Sequence, residues 1–464
     1  MHALLLCASV LSQPADLRDT LLTGESVELH VGFPYYRDRS AESIASEVQL
    51  AGFRSVQYLI CNEPADLRPD VIEAFHRRGI GVCAALFPTA VYTPESLLPE
   101  GWQAWQMEFL RPSGYRHLSF IHPGYREWLK GRVTRALAAA PFDGVVLMEP
   151  YYPAFGGPDR GEYSDISPAF QQAFREATGE SSFPSFTDPA SPDYYETDTD
   201  LYRKLVDYRA KTIVDFYDDI ANGPGGVRER FPNVAIATWS VGLADPNGPA
   251  LLREWEGDDA AAMVSRIRPD LHYIQTHWPD WSRPDLPPDY TDAYRPFIDQ
   301  VREADPNVKV GFQADIGSLE PMRKSPEWYH AFVTHAPAAG IDATTYYEFH
   351  LRWEVYHGAP ELRAAALADD RRTVRLEFDK RIDPATAEAL KGRKVTHFES
   401  GSSWAIEAVA VDGNLLNLTL DGEPPTGKTL GFPVWGVTDW PAVRFGGAGA
   451  ANAIPESAWG WGEL

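Results

Sequence analysis

Eight short apolar segments, separated by stretches with helical periodicity, run through residues 27–348 of the 464-residue chain. Each segment has the length and composition of a strand that is buried on both faces. The predicted strands are 27–33, 55–61, 81–87, 145–148, 234–240, 271–276, 308–315 and 343–348. Strands that alternate with helices in one run are typical of a (β/α)8 barrel, a TIM barrel. An open doubly wound sheet competes, but no glycine-rich dinucleotide fingerprint follows the first strand.

The pattern changes after Pro360, where polar and apolar residues alternate with period two. Segments 373–378 and 415–420 read as half-buried strands, and Asp412-Gly413-Asn414 supplies a hairpin turn before the second of them. We therefore expect a small all-β, Ig-like sandwich after the barrel. The predicted division is a candidate signal peptide at 1–15, the barrel at 16–361 with a long insertion at 154–200, the sandwich at 362–447 and a tail at 448–464.

Composition excludes several classes of partner. The formal net charge of −24 leaves no basic surface for nucleic acid or anionic membranes. No stretch reaches the length of a membrane span. The 3 cysteines and the histidines show no zinc-ligand spacing, so we predict neither a metal nor a cofactor. An apolar run at 3–11 lacks a preceding Lys or Arg, so secretion or a periplasmic location is expected if it is cleaved, and a cytoplasmic one if not.

The fourth predicted strand runs directly into Glu149 and then into an aromatic, proline-rich loop, Pro150-Tyr151-Tyr152-Pro153. In parallel barrels, the residues that follow the strands carry the chemistry. A carboxylate followed by rings is what a sugar-cleaving site requires. The plain alternative is a surface glutamate that happens to follow a strand.

A glycosidase needs a second carboxyl group, and the chain offers Asp315 after strand seven and Glu348 after strand eight. Glu63 is a weaker third acid, in a segment that reads equally well as an ordinary turn. Polar and aromatic residues recur at the strand ends and are suited to contact sugar rings and hydroxyls. The candidate substrate-binding residues are Tyr35, Tyr36, Glu63, Tyr151, Trp239, His277, Trp278, Gln313 and Tyr347.

Residues 122–153 resemble the bacterial family-10-like hypothetical glycosyl hydrolases. The resemblance rests on Asp143-Gly144, Glu149, Tyr151-Tyr152 and Pro153, with Met148 at the position of the first acid of that family's pair. It implies a (β/α)8 barrel that hydrolyses glycosidic bonds. The later strands resemble the Ig-like modules of bacterial extracellular enzymes through Leu376-Glu377-Phe378 and Gly436-Val437-Thr438-Asp439, which implies an extracellular or periplasmic location.

The sequence thus predicts an enzyme of carbohydrate metabolism, a glycoside hydrolase with Glu149 and either Asp315 or Glu348 as paired carboxylates. Its partner would be a carbohydrate substrate, and its oligomeric state is not indicated. The alternative is a non-catalytic carbohydrate-binding barrel that keeps the aromatic mouth. The two hypotheses differ in whether any two of the three acids share a cleft.

Overall fold

Eight parallel strands form a closed barrel in the computed structural model, which describes residues 17–153, 156–315, 322–440 and 451–464. Each strand pairs with the next, and β1 also pairs with β8. The strands are β1 (Gly24–Leu29), β2 (Ser55–Leu59), β3 (Gly81–Leu86), β4 (Gly144–Leu147), β5 (Ala235–Val241), β6 (Leu271–Gln275), β7 (Lys309–Asp315) and β8 (Ala343–Tyr347). The prediction of a TIM barrel is confirmed.

Helices fill connections between strands, and most of them cover the outside of the barrel, while the last one lies in the second domain. They are α1 (Leu17–Leu22), α2 (Ala41–Leu50), α3 (Pro69–Arg77), α4 (Pro123–Ala139), α5 (Pro168–Thr178), α6 (Thr199–Asn222), α7 (Val227–Arg230), α8 (Gly248–Glu256), α9 (Ala260–Ile267), α10 (Trp278–Trp281), α11 (Arg295–Ala304), α12 (Pro326–His335), α13 (Trp353–Tyr356) and α14 (Pro384–Ala387). Ser40, Ser167 and Asp198 cap α2, α5 and α6, because each side chain accepts a hydrogen bond from the backbone N–H three residues on. Within the described residues, no helix combines the length and the apolar character needed to cross a membrane.

The first strand lies earlier in the chain than its sequence predicts. The apolar and aromatic run continues to Phe33, but β1 ends at Leu29 and the backbone then turns, with the N–H of Phe33 donating to the carbonyl of His30. Pro34 fixes its own backbone and starts a short 3₁₀ turn at Pro34–Tyr36. The aromatic residues after β1 therefore pack as a turn against the rim of the barrel.

The barrel interior is filled by side chains that alternate inward along each strand. The buried inner residues are Leu59, Cys83, Ala85, Val146, Met148, Ala235, Ala237, Trp239, Leu271, Tyr273 and Ala343. Helix α1 closes the amino-terminal end, where Leu21 lies so close to Gly144 that a Cβ there would meet the Leu21 Cδ1 at 2.6 Å. Along β6 the inward positions change from Leu271 at the closed end to Gln275 at the open end, so polar groups collect at the mouth.

A seven-stranded antiparallel sheet forms the second domain, in the order β15-β14-β11-β12-β13-β10-β9. Its strands are β9 (Leu362–Leu367), β10 (Thr373–Phe378), β11 (Lys394–His397), β12 (Ser402–Asp412), β13 (Leu415–Leu420), β14 (Thr429–Phe432) and β15 (Gly460–Glu463). This all-β domain after the barrel agrees with the predicted sandwich. The segment predicted as a tail contains β15, whose Gly462 packs so closely on Ala365 of β9 that a Cβ would approach to 2.5 Å.

A buried polar network joins the second domain to the barrel. Arg39 forms an ion pair of 2.5 Å with Glu47 of α2, and both side chains are almost fully inaccessible to solvent. The hairpin between β12 and β13 inserts Asn414, whose Oδ1 accepts hydrogen bonds from Ser43 Oγ at 2.9 Å and from Arg39 at 3.3 Å. Glu47 also accepts a hydrogen bond from the Tyr35 hydroxyl. The hairpin of the second domain is therefore hydrogen-bonded to a desolvated charge pair of the barrel.

We predict that Glu47→Ala lowers the free energy of unfolding by about 3–5 kcal/mol, because it leaves the buried Arg39 guanidinium without its anion. Urea unfolding followed by circular dichroism measures the change. Glu42→Ala is the control, since Glu42 lies on the same helix but is one-third exposed in its pair with Arg78, and should cost about 1 kcal/mol or less. Equal losses in the two variants would contradict the assignment of Arg39–Glu47 as the central interface pair.

Candidate active site

Glu149 lies just beyond the carboxyl end of β4, where its backbone has a left-handed conformation with φ of 58°. This conformation costs a residue with a side chain about 1–2 kcal/mol. The N–H of Tyr151 donates to the Glu149 carbonyl at 3.0 Å and closes the turn. Strained backbone at such a position is typical of sites where a side chain must be aimed.

Two side chains, Gln275 and Tyr151, contact the Glu149 carboxyl group, and a third, Trp239, positions Gln275. The indole N–H of Trp239 donates to Gln275 Oε1 at 2.8 Å, and Gln275 Nε2 in turn donates to Glu149 Oε1 at 2.9 Å. Because the indole can only donate, it fixes the amide so that its NH2 faces the carboxyl. The Tyr151 hydroxyl lies 3.4 Å from Glu149 Oε2. Trp239 of β5 and Gln275 at the end of β6 thus support a carboxyl group that follows β4.

Burial raises the pKa of Glu149 above its ordinary value, while the hydrogen bonds from Gln275 and Tyr151 lower it in part. The side chain keeps some contact with solvent at the barrel mouth. A carboxyl in this environment holds its proton to higher pH than a surface glutamate, yet retains donors that stabilise the ionised form. These are the properties required of a general acid.

The second predicted acid, Glu348, is 0% exposed. Its Oε1 accepts hydrogen bonds from the backbone N–H of His30 at 2.9 Å and from the Tyr36 hydroxyl at 3.1 Å. Its Oε2 contacts His350 Nδ1. The described contacts give Glu348 a position inside the rim, between β1 and β8.

Asp315 is the last residue of β7 and is paired in register with Tyr347 of β8. That position puts its backbone at the mouth, on the same rim as Glu149. Its side chain lies outside the described part of the structure. Glu63, the third acid, forms an ion pair with Arg132 of α4 at 3.0 Å, in the loop after β2.

The predicted binding residues differ in their exposure. Trp278 is 51% exposed and Tyr347 is partly buried, whereas Tyr151, Trp239 and Gln313 are buried, with Trp239 0% exposed among the side chains that fill the barrel. Tyr35 and Tyr36 are buried too, because their hydroxyls bond Glu47 and Glu348. His277 is buried as well, with its backbone N–H donating to the Tyr294 hydroxyl at 3.0 Å, and burial lowers its pKa.

Sequence reasoning missed Gln275 and Tyr92. Gln275 ends β6 and holds Glu149, and the only signal in the sequence was a polar residue at a strand end. Tyr92 stacks edge-on against Phe87 with ring centroids 4.7 Å apart and is 52% exposed. Desolvation and then the charge of Glu149 raise the pKa of its hydroxyl, although half of the ring surface is accessible. Tyr92 therefore lies in the mouth within the electrostatic field of Glu149.

A second buried acid, Glu256 at the end of α8, lies behind the site. Its carbonyl accepts a hydrogen bond from the Tyr152 N–H at 2.9 Å, but no described residue donates to either carboxyl oxygen. Burial raises the pKa of Glu256 well above its ordinary value, with Asp258 and Glu149 acting in the same direction and Arg209 against it. Burial thus disfavours the charged form of Glu256 behind the site.

Three potential metal ligands also come together at the rim, directly after β1 and in the loop after β2. They are His30, Cys61 and Asp66, and His30 Nε2 lies 3.0 Å from Asp66 Oδ2. Burial and then the charge of Asp66 raise the pKa of the Cys61 thiol to about 12. As it stands, the thiol is therefore a poor nucleophile.

Comparison with known proteins places the fold. No family model and no curated protein sequence matches the chain. The glycoside hydrolase domain of PgaB (BpsB) from Bordetella bronchiseptica is similar, with 14% identity and a TM-score of 0.52 over 70% of this chain and 93% of that one. The β-galactosidases from Halorubrum lacusprofundi and Rahnella sp. R3 give 18% and 13% identity and TM-scores of 0.46 and 0.48, each over 70% of this chain. This chain spans about half of their length, 52% and 50%. The likeness to the PgaB domain shows a glycoside hydrolase-like barrel fold.

We predict that Glu149→Gln becomes more stable relative to the parent protein as pH rises. The pKa of Glu149 is raised in the folded state, so folding takes up a proton, and the parent loses stability from about pH 4, the ordinary range of a glutamate, up through the raised value. Glutamine does not titrate, and each pKa unit of the shift is equivalent to about 1.4 kcal/mol. Urea unfolding of both proteins across pH measures the difference. Glu95→Gln, an exposed carboxylate in the loop after β3, should show no such slope, and a pH-independent difference for Glu149→Gln would contradict the prediction.

Proposed function

We propose that this chain is a glycoside hydrolase that cleaves O-glycosidic bonds, with Glu149 as the general acid/base and Asp315 as the second carboxylate. The observation that carries the proposal is the environment of Glu149. It is a desolvated carboxyl with a raised pKa, held by Gln275 and Tyr151 at the carboxyl end of β4. Protonated carboxyls aimed into a barrel mouth are the acids that glycoside cleavage requires.

Asp315 is the favoured partner because of where β7 ends and because Glu348 is engaged elsewhere. Glu348 is enclosed by the His30 backbone, Tyr36 and His350, and has no surface open to a substrate. Asp315 ends a strand that is separated from β4 by β5 and β6 around the rim. Acids on strands so separated can approach a sugar ring from two sides, as paired carboxylates must.

In the proposed reaction, Glu149 donates its proton to the glycosidic oxygen as the bond from that oxygen to the anomeric carbon breaks. Ionised Asp315 supplies the electron pair at the anomeric carbon, either directly or by taking a proton from the attacking water. The departing sugar leaves as an alcohol, and Gln275 and Tyr151 stabilise the carboxylate that remains on Glu149. After direct attack, Glu149 takes a proton from a water that displaces Asp315 from the anomeric carbon, which releases the second sugar and restores both groups. After attack by water, Asp315 gives its proton to solvent and Glu149 takes one from solvent.

The substrate class is a carbohydrate without strong negative charge. The net charge of −24 disfavours polyanions. The half-exposed rings of Tyr92 and Trp278 offer flat apolar surfaces, on which sugar rings can stack. The PgaB domain, whose barrel is similar, is itself described as a glycoside hydrolase.

The proposed site of action is outside the cytoplasm, either secreted or periplasmic. The support is the resemblance of the second domain to Ig-like modules of bacterial extracellular enzymes. Residues 1–16, which include the candidate signal peptide, lie outside the described residues.

We predict that Glu149→Gln lowers turnover by about 10²–10⁴-fold, because a positioned acid typically contributes that much. The assay follows release of reducing ends from a panel of neutral oligosaccharides and polysaccharides. Glu95→Gln, an exposed carboxylate on the same side of the barrel, should retain parental turnover. Parental turnover in Glu149→Gln would remove Glu149 from the acid role. If the parent binds glycans but releases no reducing ends from any of them, the chain is instead a carbohydrate-binding barrel.

The two carboxylates should respond differently to the leaving group. Glu149→Gln should recover most of its lost rate of bond cleavage on dinitrophenyl glycosides, whose leaving group needs no proton, whereas Asp315→Asn should remain inactive on them. The initial release of dinitrophenol by the two variants measures this, because it follows cleavage before any later step in which Glu149 acts as a base. Recovery in Asp315→Asn and not in Glu149→Gln would reverse the assigned roles.

A further inference from the structure

His30, Cys61 and Asp66 offer a nitrogen, a sulfur and an oxygen ligand at the rim of the barrel. His30 directly follows β1, Cys61 lies two residues beyond β2, and Asp66 lies in the loop that follows. The three ligand atoms all lie within 4.8 Å of one another. The separation of 31 positions between His30 and Cys61 hides the cluster from any search for ligand spacing in the sequence.

The carboxylate of Asp66 is fixed before any ion arrives. Its Oδ2 accepts hydrogen bonds from the backbone N–H groups of Cys61 at 2.8 Å and Asn62 at 2.5 Å. The Tyr58 hydroxyl donates to the Asp66 carbonyl at 2.6 Å and anchors the loop to β2. Both backbone N–H groups donate to Oδ2 of Asp66, and neither of them donates to Oδ1.

The imidazole of His30 is positioned just as closely. Its backbone N–H donates to Glu348, and Nε2 points at Asp66. Gly32 packs beneath the ring, where a Cβ would lie 3.0 Å from His30 Cε1. The ring edge and the thiol of Cys61 both retain partial contact with solvent, so an ion can reach the cluster from the barrel mouth.

We propose that His30, Cys61 and Asp66 bind one zinc-class transition-metal ion with an open fourth position. Imidazole and thiolate are ligands that Zn²⁺ and Co²⁺ prefer, whereas Mg²⁺ and Ca²⁺ select oxygen. Bonds of about 2.0 Å to nitrogen and about 2.3 Å to sulfur put ligand atoms within roughly 4 Å of one another, which small side-chain rotations achieve here. Three protein ligands and one open position form the arrangement that lets a metal hold water or a substrate hydroxyl.

This inference does not depend on the proposed glycoside hydrolysis, which uses carboxyl groups alone. The competing interpretation is a plain ion pair between His30 and Asp66 next to an unreactive thiol. Metal binding requires the sulfur of Cys61 as a ligand, whereas the ion pair between His30 and Asp66 does not. The experiment therefore replaces that sulfur.

The experiment uses the full chain with Cys7→Ser, stripped with a chelator and titrated with Co²⁺, then with Zn²⁺. We expect one equivalent of Co²⁺, with a thiolate-to-cobalt charge-transfer absorption that Zn²⁺ abolishes. Cys61→Ser should lose the absorption and weaken binding by more than the about 10–100-fold that loss of an outer-shell partner costs. Cys83→Ser, which removes a buried thiol inside the barrel, should bind like the parent.

Substoichiometric Co²⁺, or equal affinity in Cys61→Ser and the parent, would overturn the proposal and leave the ion pair. Circular dichroism checks that Cys61→Ser is folded. If it is not, His30→Gln replaces it, and the expectation is a similar loss of affinity with the charge-transfer absorption retained at saturating Co²⁺. Unchanged affinity in that variant would likewise overturn the proposal.

Discussion

The pairing of β1 with β8 is the constraint on which the rest of the structure depends. Through Gly24 opposite Ala343, it closes the sheet, so all eight carboxyl ends share one rim. Side chains far apart in the sequence become neighbours there, as Gln275 and Glu149 do across 126 positions. β4 and β6 are separated only by β5, and the curvature of the closed sheet turns the side chains at their ends toward one mouth.

Three glutamates at or behind this rim show how hydrogen bonding decides what a carboxyl can do. Glu348 accepts bonds from several groups and ties β1 to β8. Glu256 has no described donor, and burial disfavours its charged form. Glu149 lies between these cases. Burial favours its protonated form, while two hydrogen-bond donors stabilise its ionised form. Only that intermediate balance suits a group that must both give and regain a proton.

Much of the barrel could be predicted because a strand buried on both faces leaves a continuous apolar run in the sequence. Seven of the eight strands start within a residue of their predicted positions, and only β1 is displaced. Its apolar run continues to Phe33 although hydrogen bonding stops at Leu29. Apolar periodicity reports which side chains are buried, and Val31, Tyr35 and Tyr36 after the strand are buried like Val27 and Leu29 within it, although Pro34 itself is exposed. The sequence pattern therefore did not separate the strand from the turn that follows it.

The candidate site was predictable only where one stretch of chain carries the information. Glu149 and Tyr151 lie two residues apart, and a strand followed by an acid and a ring could be recognised. Gln275 depends on which strand ends become neighbours, which no local pattern contains. Tyr35 was predicted to contact sugar, but its carbonyl accepts a hydrogen bond from Arg381, 346 positions away, and its ring is buried at the domain interface.

Contacts at the same interface show that the second domain packs directly against the rim of the barrel. Arg381 donates to the carbonyl of Tyr35 at 2.6 Å, and burial together with the nearby Arg39 lowers its pKa to about 10. Tyr36, the residue after Tyr35, donates a hydrogen bond from its hydroxyl to the carboxylate of Glu348. The same carboxylate accepts a hydrogen bond from the backbone N–H of His30. A guanidinium of the β domain is thus three contacts from the imidazole at the mouth. The first two of these hydrogen bonds are buried and the third is partly buried. A shift of the second domain would have to break desolvated hydrogen bonds, so the geometry of this side of the mouth is set by both domains together.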